Sequence, residues 1–139
     1  RELFRRLAGP NRAAKRYQQL FRKPYHVYDS REAAAYIDLN PPAGMDFYPC
    51  VFPGWDNTPR SGLNGLVFTH SSPGLFQEHL RQAAARVANY PAEHQIIILK
   101  SWNEWAEGNY LEPERRFGTG FLDALKAFLE EQREAQNGI

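Results

Sequence analysis

The apolar positions of the chain fall into two stripes and one unbroken run. After Ser72-Pro73, the residues Phe76, Leu80, Ala84, Val87 and Tyr90 recur at spacings of three and four, as on one face of a helix. Ser72 suits an N-cap and Pro73 a first helical position, so a helix is predicted from there to about residue 90. Phe121, Leu122, Leu125, Phe128 and Leu129 form a second stripe and predict a last helix. The polar tail Glu130 to Ile139 is expected to fray. Between the stripes lies Gln95-Ile96-Ile97-Ile98-Leu99. A continuous β-branched run bounded by polar residues fits a parallel strand buried on both faces.

The remaining segments are shorter. Pro10 opens a predicted basic helix over about 11–22. Asp29-Ser30-Arg31-Glu32 reads as an N-cap with an acid in the first turn, starting a helix through about Ile37 that ends in the loop Asn40-Pro41-Pro42-Ala43-Gly44. Asp46 to Phe52 is rich in β-formers and reads as a strand entering a loop, although Pro49 weakens its middle. Residues 53–63 are expected to be a long polar loop, Gly65 to Thr69 a short strand, and Ser101 to about Gly118 another loop. The order is alternating α/β. It holds too few strands to close a barrel, which takes about 250 residues. Residues 1–139 are therefore read as one portion of a larger domain, with helical segments over 1–44 and βα units over 45–139. The absence of an initiator Met at Arg1 is read as truncation.

Composition narrows the class further. Hydrophobic residues make up 42% and aromatics 14%, which supports a folded core rather than disorder. The net charge of +1 gives no global attraction to nucleic acid or an acidic membrane. The first 23 residues carry eight basic side chains against one acid, Glu2. A nucleic-acid motif is lacking there, so the charge reads as the solvated face of an outer helix. No apolar run reaches the roughly 18–20 residues of a membrane span. Cys50 is the single cysteine; it excludes an internal disulfide, agrees with the expected cytoplasmic location, and suits a small apolar role. The four histidines lack the paired spacing of a zinc site, and no Gly-rich phosphate loop occurs, so neither metal nor cofactor is expected. His70 follows a predicted strand, from which it could reach a pocket, but reads first as a structural histidine. Tyr28 and Asp29 read as helix-start residues, and Ser71-Ser72 as capping residues rather than nucleophiles.

The densest chemistry follows the isoleucine run: Lys100-Ser101-Trp102-Asn103-Glu104-Trp105-Ala106-Glu107-Gly108-Asn109-Tyr110-Leu111-Glu112-Pro113. In parallel α/β architectures the carboxyl end of a strand is where ligands bind. Aromatic rings stack on the apolar faces of sugars, while Asn and carboxylates bind hydroxyls. Cleaving a glycosidic bond needs one carboxyl to protonate the leaving oxygen and a second to assist at the other side. Glu104 and Glu107, three residues apart, are the candidate pair. The bland alternative is two surface acids near a helix start, with the Trp rings packed inside.

Trp102-Asn103-Glu104-Trp105-Ala106-Glu107-Gly108, with Leu111-Glu112-Pro113-Glu114 and Phe117-Gly118, resembles the signature of the WbsX-type glycosyltransferase family. That family is similar to glycoside hydrolase family 99, the endo-acting α-mannosidases and α-mannanases, through an Asn-Glu-Trp-x-Glu-Gly core. Pro53-Gly54-Trp55-Asp56-Asn57-Thr58-Pro59-Arg60 matches the same pattern, and the resemblance covers roughly residues 45–130. It implies the C-terminal part of a (β/α)₈ TIM barrel, its last two or three βα units, with the remainder supplied by the same chain or another copy. It also implies a retaining mechanism without a covalent enzyme intermediate. Glu104 would be the base towards the substrate's 2-hydroxyl and Glu107 the acid/base. Trp55, Asp56 and Arg60 would line the sugar subsites, with Trp102, Asn103, Tyr110 and Glu112 in support. Ala106 stands where the hydrolases carry His, and Asn109-Tyr110-Leu111 replaces a Thr-led stretch. These departures leave open whether water or a sugar hydroxyl is the acceptor. The expected substrate is an oligosaccharide or polysaccharide of bacterial surface-polysaccharide metabolism. A non-catalytic carbohydrate-binding module is the alternative from another class, and a basic interaction module rests only on the first 23 residues.

Overall fold

The structure is a computed structural model that describes residues 12–24, 26–37 and 47–137. The predicted roles of Pro10 and Asp46, and the loop Asn40 to Gly44, lie outside these residues.

The N-terminal segment opens with helix α1 (Arg12–Leu20). Its apolar residues Tyr17 and Leu20, with Phe21 just beyond, are exposed together with its basic ones, and the Tyr17 and Phe21 rings lie 4.6 Å apart. Strand β1 (His26–Asp29) follows, leading directly into α2 (Ser30–Ile37). Sequence reading assigned no strand here. Asp29 does act at the helix start: its Oδ1 accepts from the Arg31 N–H at 2.8 Å.

Strand β2 (Cys50–Val51) confirms the β-rich run in shortened form. The segment predicted as a long polar loop instead contains strand β3 (Trp55–Asp56), helix α3 (Thr58–Ser61) and a 3₁₀ turn (Gly62–Asn64). Pro59 near the start of α3 suits a helical first turn. Strand β4 (Leu66–Thr69) then pairs in parallel with β1 and antiparallel with β3, giving a three-stranded sheet β1-β4-β3.

Helix α4 (Pro73–Val87) starts as predicted, with the Ser72 side chain accepting from the Leu75 N–H. Tyr90 falls beyond it, and its hydroxyl accepts from the Phe47 N–H at 3.3 Å. After a 3₁₀ turn (Ala92–His94), strand β5 (Ile98–Leu99) pairs in parallel with β2, in register Cys50 to Ile98 and Val51 to Leu99. The predicted loop from Ser101 is a hairpin: β6 (Asn103–Glu104), a 3₁₀ turn (Trp105–Glu107) and β7 (Asn109–Tyr110). Helix α5 (Gly120–Asn137) ends the described chain.

One core joins α4, α5 and the β2-β5 pair. Phe76, Leu80 and Ala83 of α4 pack against Phe121, Ala124 and Phe128 of α5, with Val51 and Leu111 beneath. The Phe76 and Phe121 rings meet edge to face at 5.8 Å. Each large apolar side chain buried here contributes about 1.5–3 kcal/mol. The predicted stripes err in detail. His79 joins the buried face of α4, and Leu129 is exposed while Ala124 turns inward.

Two expectations are corrected. Ile97 and Leu99 pack against the core, but Ile96 and Ile98 are 47% and 49% exposed. The face of this segment that carries Ile97 and Leu99 is covered by the core, the other face is open, and among the described residues β5 has one neighbouring strand. The polar tail also remains helical to Asn137, and there Glu131 on α5 accepts from Gln77 at 3.0 Å and from Arg81 at 2.6 and 2.9 Å on α4. The described strands make open sheets.

Candidate functional site

The chain leaves β5 at Leu99 and passes through a cis peptide between Lys100 and Ser101. A polar clasp then closes the hairpin. The Ser101 N–H donates to Asn109 Oδ1 at 2.8 Å, and the Ser101 hydroxyl donates to the Asn109 carbonyl at 2.8 Å. The same hydroxyl accepts from the Glu104 N–H at 3.2 Å. Asn109 is fully buried, and its Nδ2 has no hydrogen-bond partner among the described residues. Buried amides of this kind fix a loop in one arrangement.

Gly108 ends the 3₁₀ turn at φ +59°, and its N–H donates to the Trp105 carbonyl. A Cβ there would lie 2.8 Å from the Asp56 nitrogen. Only glycine allows the hairpin to approach the β3 backbone this closely. The hairpin of the Trp-Asn-Glu signature and the strand of the Pro-Gly-Trp signature are thereby pressed together at the carboxyl ends of β5 and β2.

Glu104 and Glu107 stand at the two ends of the 3₁₀ turn. Their surroundings differ. Glu107 Oε1 accepts from Arg60 at 3.3 Å and Oε2 from Lys100 at 2.9 Å. Lys100 is the shorter and less exposed of the two partners, and its Nζ also sits 4.7 Å from the centre of the Trp55 ring. Lys100, which sequence reading left without a role, thus links the two signature segments. The Glu104 carboxylate, half-buried, has no hydrogen bond or ion pair among the described residues. The two carboxylates therefore differ in that Glu107 is occupied by two cations while Glu104 is not.

Trp105, Gly108 and Tyr110 of the hairpin line an open cleft of about 600 Å³, within the roughly 300–1,000 Å³ of small-molecule sites. Trp55, Asp56 and Tyr110 of the predicted sugar-binding set line it. Arg60, Trp102, Asn103, Glu104, Glu107 and Glu112 do not line it. Asp56 accepts from the Thr58 N–H and hydroxyl at 2.9 and 2.6 Å, so it starts α3 as well as facing the cleft. The Trp55 Nε1 is buried without a partner among the described residues. Tyr110 stacks on Trp105, with ring centres 3.8 Å apart at 13°, and the Trp105 Nε1 donates to Glu112 at 2.6 Å. Burial, with the charge of Glu114 adding to it, pushes the Tyr110 hydroxyl above its ordinary pKa; it remains a neutral donor. Trp102 is 56% exposed and Asn103 is exposed as well.

The cleft also holds His70, read from sequence as structural. Its Nδ1 lies 2.7 Å from Asp29 Oδ2, and Ser30 and Ser71 are hydrogen-bonded at 2.8 Å one position further on. Both pairs span 41 residues, so only the β1-β4 register reveals them. The one sequence signal was position, since His70 directly follows a predicted strand. Among the described residues no cluster of three or more His, Cys, Asp or Glu has the arrangement of a metal site, and no helix is long and apolar enough to cross a membrane.

The comparisons with known proteins agree with the two signatures. The chain is 41% identical over 104 residues to the uncharacterized protein WxcX from two strains of Xanthomonas campestris pv. campestris, which covers 74% of the chain and 15% of each relative. The match therefore spans about a seventh of the length of these relatives. No solved structure matches the chain. The profile of the family described as Glycosyltransferase WbsX matches residues 5–125, and the chain belongs to that family.

Proposed function

We propose that this chain contributes the catalytic hairpin of a glycan-active enzyme of bacterial polysaccharide metabolism, working through Glu104 and Glu107. Family membership supports glycan chemistry. The observation that carries the assignment is the unequal pair itself. Glu104 is free to meet a hydroxyl, while Glu107 is held at 2.9 Å by Lys100 against the Trp55 ring. The two carboxylates share one short turn and differ in partners, as two groups with different proton tasks should.

In the proposed reaction Glu104 takes the proton from the donor sugar's 2-hydroxyl. The freed oxygen attacks the anomeric carbon, forming a 1,2-anhydro sugar as the glycosidic bond breaks. Glu107 gives a proton to the leaving oxygen. An acceptor hydroxyl then loses its proton to Glu107 and opens the anhydro ring at the anomeric carbon, and Glu104 returns the proton to the 2-oxygen. With water the outcome is hydrolysis of an endo-α-mannosidase or mannanase type; with a sugar hydroxyl it is transfer. Substrate takes the place of Arg60 and Lys100 at Glu107 before the first step. Asp56, Arg60, Asn103 and Glu112 orient the sugars, and Trp55, Trp102 and Tyr110 supply ring faces.

We read the fold as the last two or three units of a (β/α)₈ barrel, completed by further strands of the same protein or another copy. The exposed Ile96 and Ile98 beside an edge of β5 that no strand pairs among the described residues support this, because a closed barrel leaves no such edge. The test is turnover by the full-length protein on mannose- and rhamnose-containing oligosaccharides, alongside Glu104→Gln and Glu107→Gln. General acid–base contributions run to about 10²–10⁴-fold, so each variant should lose at least about a hundredfold while retaining binding. The exposed Trp102 and Trp105 suit a second reading, a non-catalytic sugar-binding surface. Binding without turnover, indifferent to both substitutions, would establish that reading instead.

A further inference from the structure

Strands β1 and β4 run in parallel and end together, Asp29 opposite Thr69, so His70 emerges at their shared carboxyl end and lines the cleft. The residue adopts φ +60°, a left-handed conformation uncommon outside glycine though less so for His. Backbone outliers of this kind are a pointer to function rather than to packing. Asp29 grips the ring from behind. Its carboxyl is held below the usual carboxylate range by the Arg31 N–H and then by the His70 ring itself. It therefore acts as the acceptor, and the Nδ1–H of His70 donates to it. The opposite nitrogen, Nε2, is left to hydrogen-bond a ligand. That nitrogen has no partner among the described residues, and the side chain is 70% exposed.

The Trp105–Tyr110 stack lines the same cleft, with the indole fixed by its bond to Glu112. Two carboxylates, Asp56 and Glu114, face the same space against one guanidinium, Arg116, which lies over the Phe117 ring at 4.7 Å. Such a balance repels an acidic ligand and suits a neutral polyhydroxyl one. We propose that this cleft is an additional sugar subsite, beyond Glu104 and Glu107, that takes a neutral pyranose unit of a longer glycan between the Trp105–Tyr110 stack and the Asp29-oriented ring of His70. The inference rests on the glycan reading above and adds to it the substrate class: an oligosaccharide longer than the two sugars flanking the reacting bond, uncharged where it crosses the cleft.

The experiment uses the full-length protein carrying Glu104→Gln to silence turnover. Calorimetric titration with neutral mannose and rhamnose oligomers of about two to six units would be compared with galacturonate oligomers of equal length. Affinity for the neutral series should rise about tenfold with length, and His70→Ala should remove that rise. His70→Gln, which keeps an acceptor oxygen, should restore part of it. A length dependence unchanged by His70→Ala, or a preference for the acidic series, overturns the subsite and leaves the carboxylate pair untouched. Absence of binding at every length, together with absence of turnover by the protein retaining Glu104, sinks both the subsite and the glycan reading.

Discussion

The helical layer and the signature hairpin are built on opposite principles. In the layer, Phe76, Leu80 and Ala83 of α4 meet Phe121, Ala124 and Phe128 of α5 through apolar contact alone. In the hairpin, Ser101, Asn109 and the backbone of Glu104 are tied by directional polar bonds, while Trp102 and Trp105 stay exposed. Apolar packing is tolerant of chemistry and sensitive to volume. A polar clasp is the reverse: it carries little free energy per bond but fixes the course of the backbone that bears Glu104 and Glu107. Substitutions in the first region should therefore lower stability with the site chemistry intact until the fold gives way. Substitutions in the second should impair turnover before they impair folding.

The largest expected effect is in the layer. Phe76 is 2% exposed and touches both α5 and the sheet side, so Phe76→Ala should cost about 3–5 kcal/mol, read as a lower thermal midpoint and faster amide exchange throughout α4 and α5. If exchange in α5 stayed at its original rate, the two helices would not share one core.

Next comes the contact between hairpin and β3. Gly108→Ala forces a side chain into a left-handed backbone and against Asp56. The conformational part alone is about 1–2 kcal/mol, and the collision has no flexible side-chain end to yield. Turnover should fall by well over tenfold, with the thermal midpoint lowered less than by Phe76→Ala. Equal damage to both readouts would mean that the hairpin belongs to the core after all. Lys100→Met is milder. It keeps the apolar stem against Trp55 but removes the cation that substrate must displace before Glu107 can act as the acid. The value of kcat/KM should therefore rise, by up to about tenfold or about 1.4 kcal/mol of activation free energy, with the midpoint nearly unchanged. A fall instead would mean that Lys100 positions Glu107 throughout the reaction.

The same division explains what was legible in the sequence. The α4 and α5 stripes were readable because helical burial imprints a period on neighbouring residues, and Ser72-Pro73 marked a start that the structure retains. The motif residues were readable as a group, because their types are unusual together. Their mutual arrangement was not. Asp29 with His70, and Arg60 with Glu107, join residues 41 and 47 apart, and no local pattern announces such a pair. Strand β1 was missed because it is four residues long and ends on Asp29, whose helix-start signal dominated the reading. The error over Ile96 and Ile98 has a related origin: an unbroken isoleucine run reports that both faces are meant to be covered, not that this segment itself provides the cover.

The smallest expected effect concerns the edge of the helical layer, where charge rather than volume extends the packing. Glu131 is held below the usual carboxylate range, first by its hydrogen bond to Arg81 and also by Gln77. A carboxyl whose folded pKa is depressed binds protons more readily in the unfolded chain, so stability rises with pH across its titration. Its contribution is present above the unfolded value, near 4.5, and is lost as pH falls from there through the lower folded value. The group is open to solvent, which keeps such a pair weak. Glu131→Gln should accordingly leave the neutral-pH midpoint almost unaltered, flatten its decline below about pH 4.5, and loosen amide exchange only over the last turns of α5. Unchanged exchange there would mean that the helix persists to Asn137 without the Arg81 contact, and the tail would owe its order to intrinsic helix propensity.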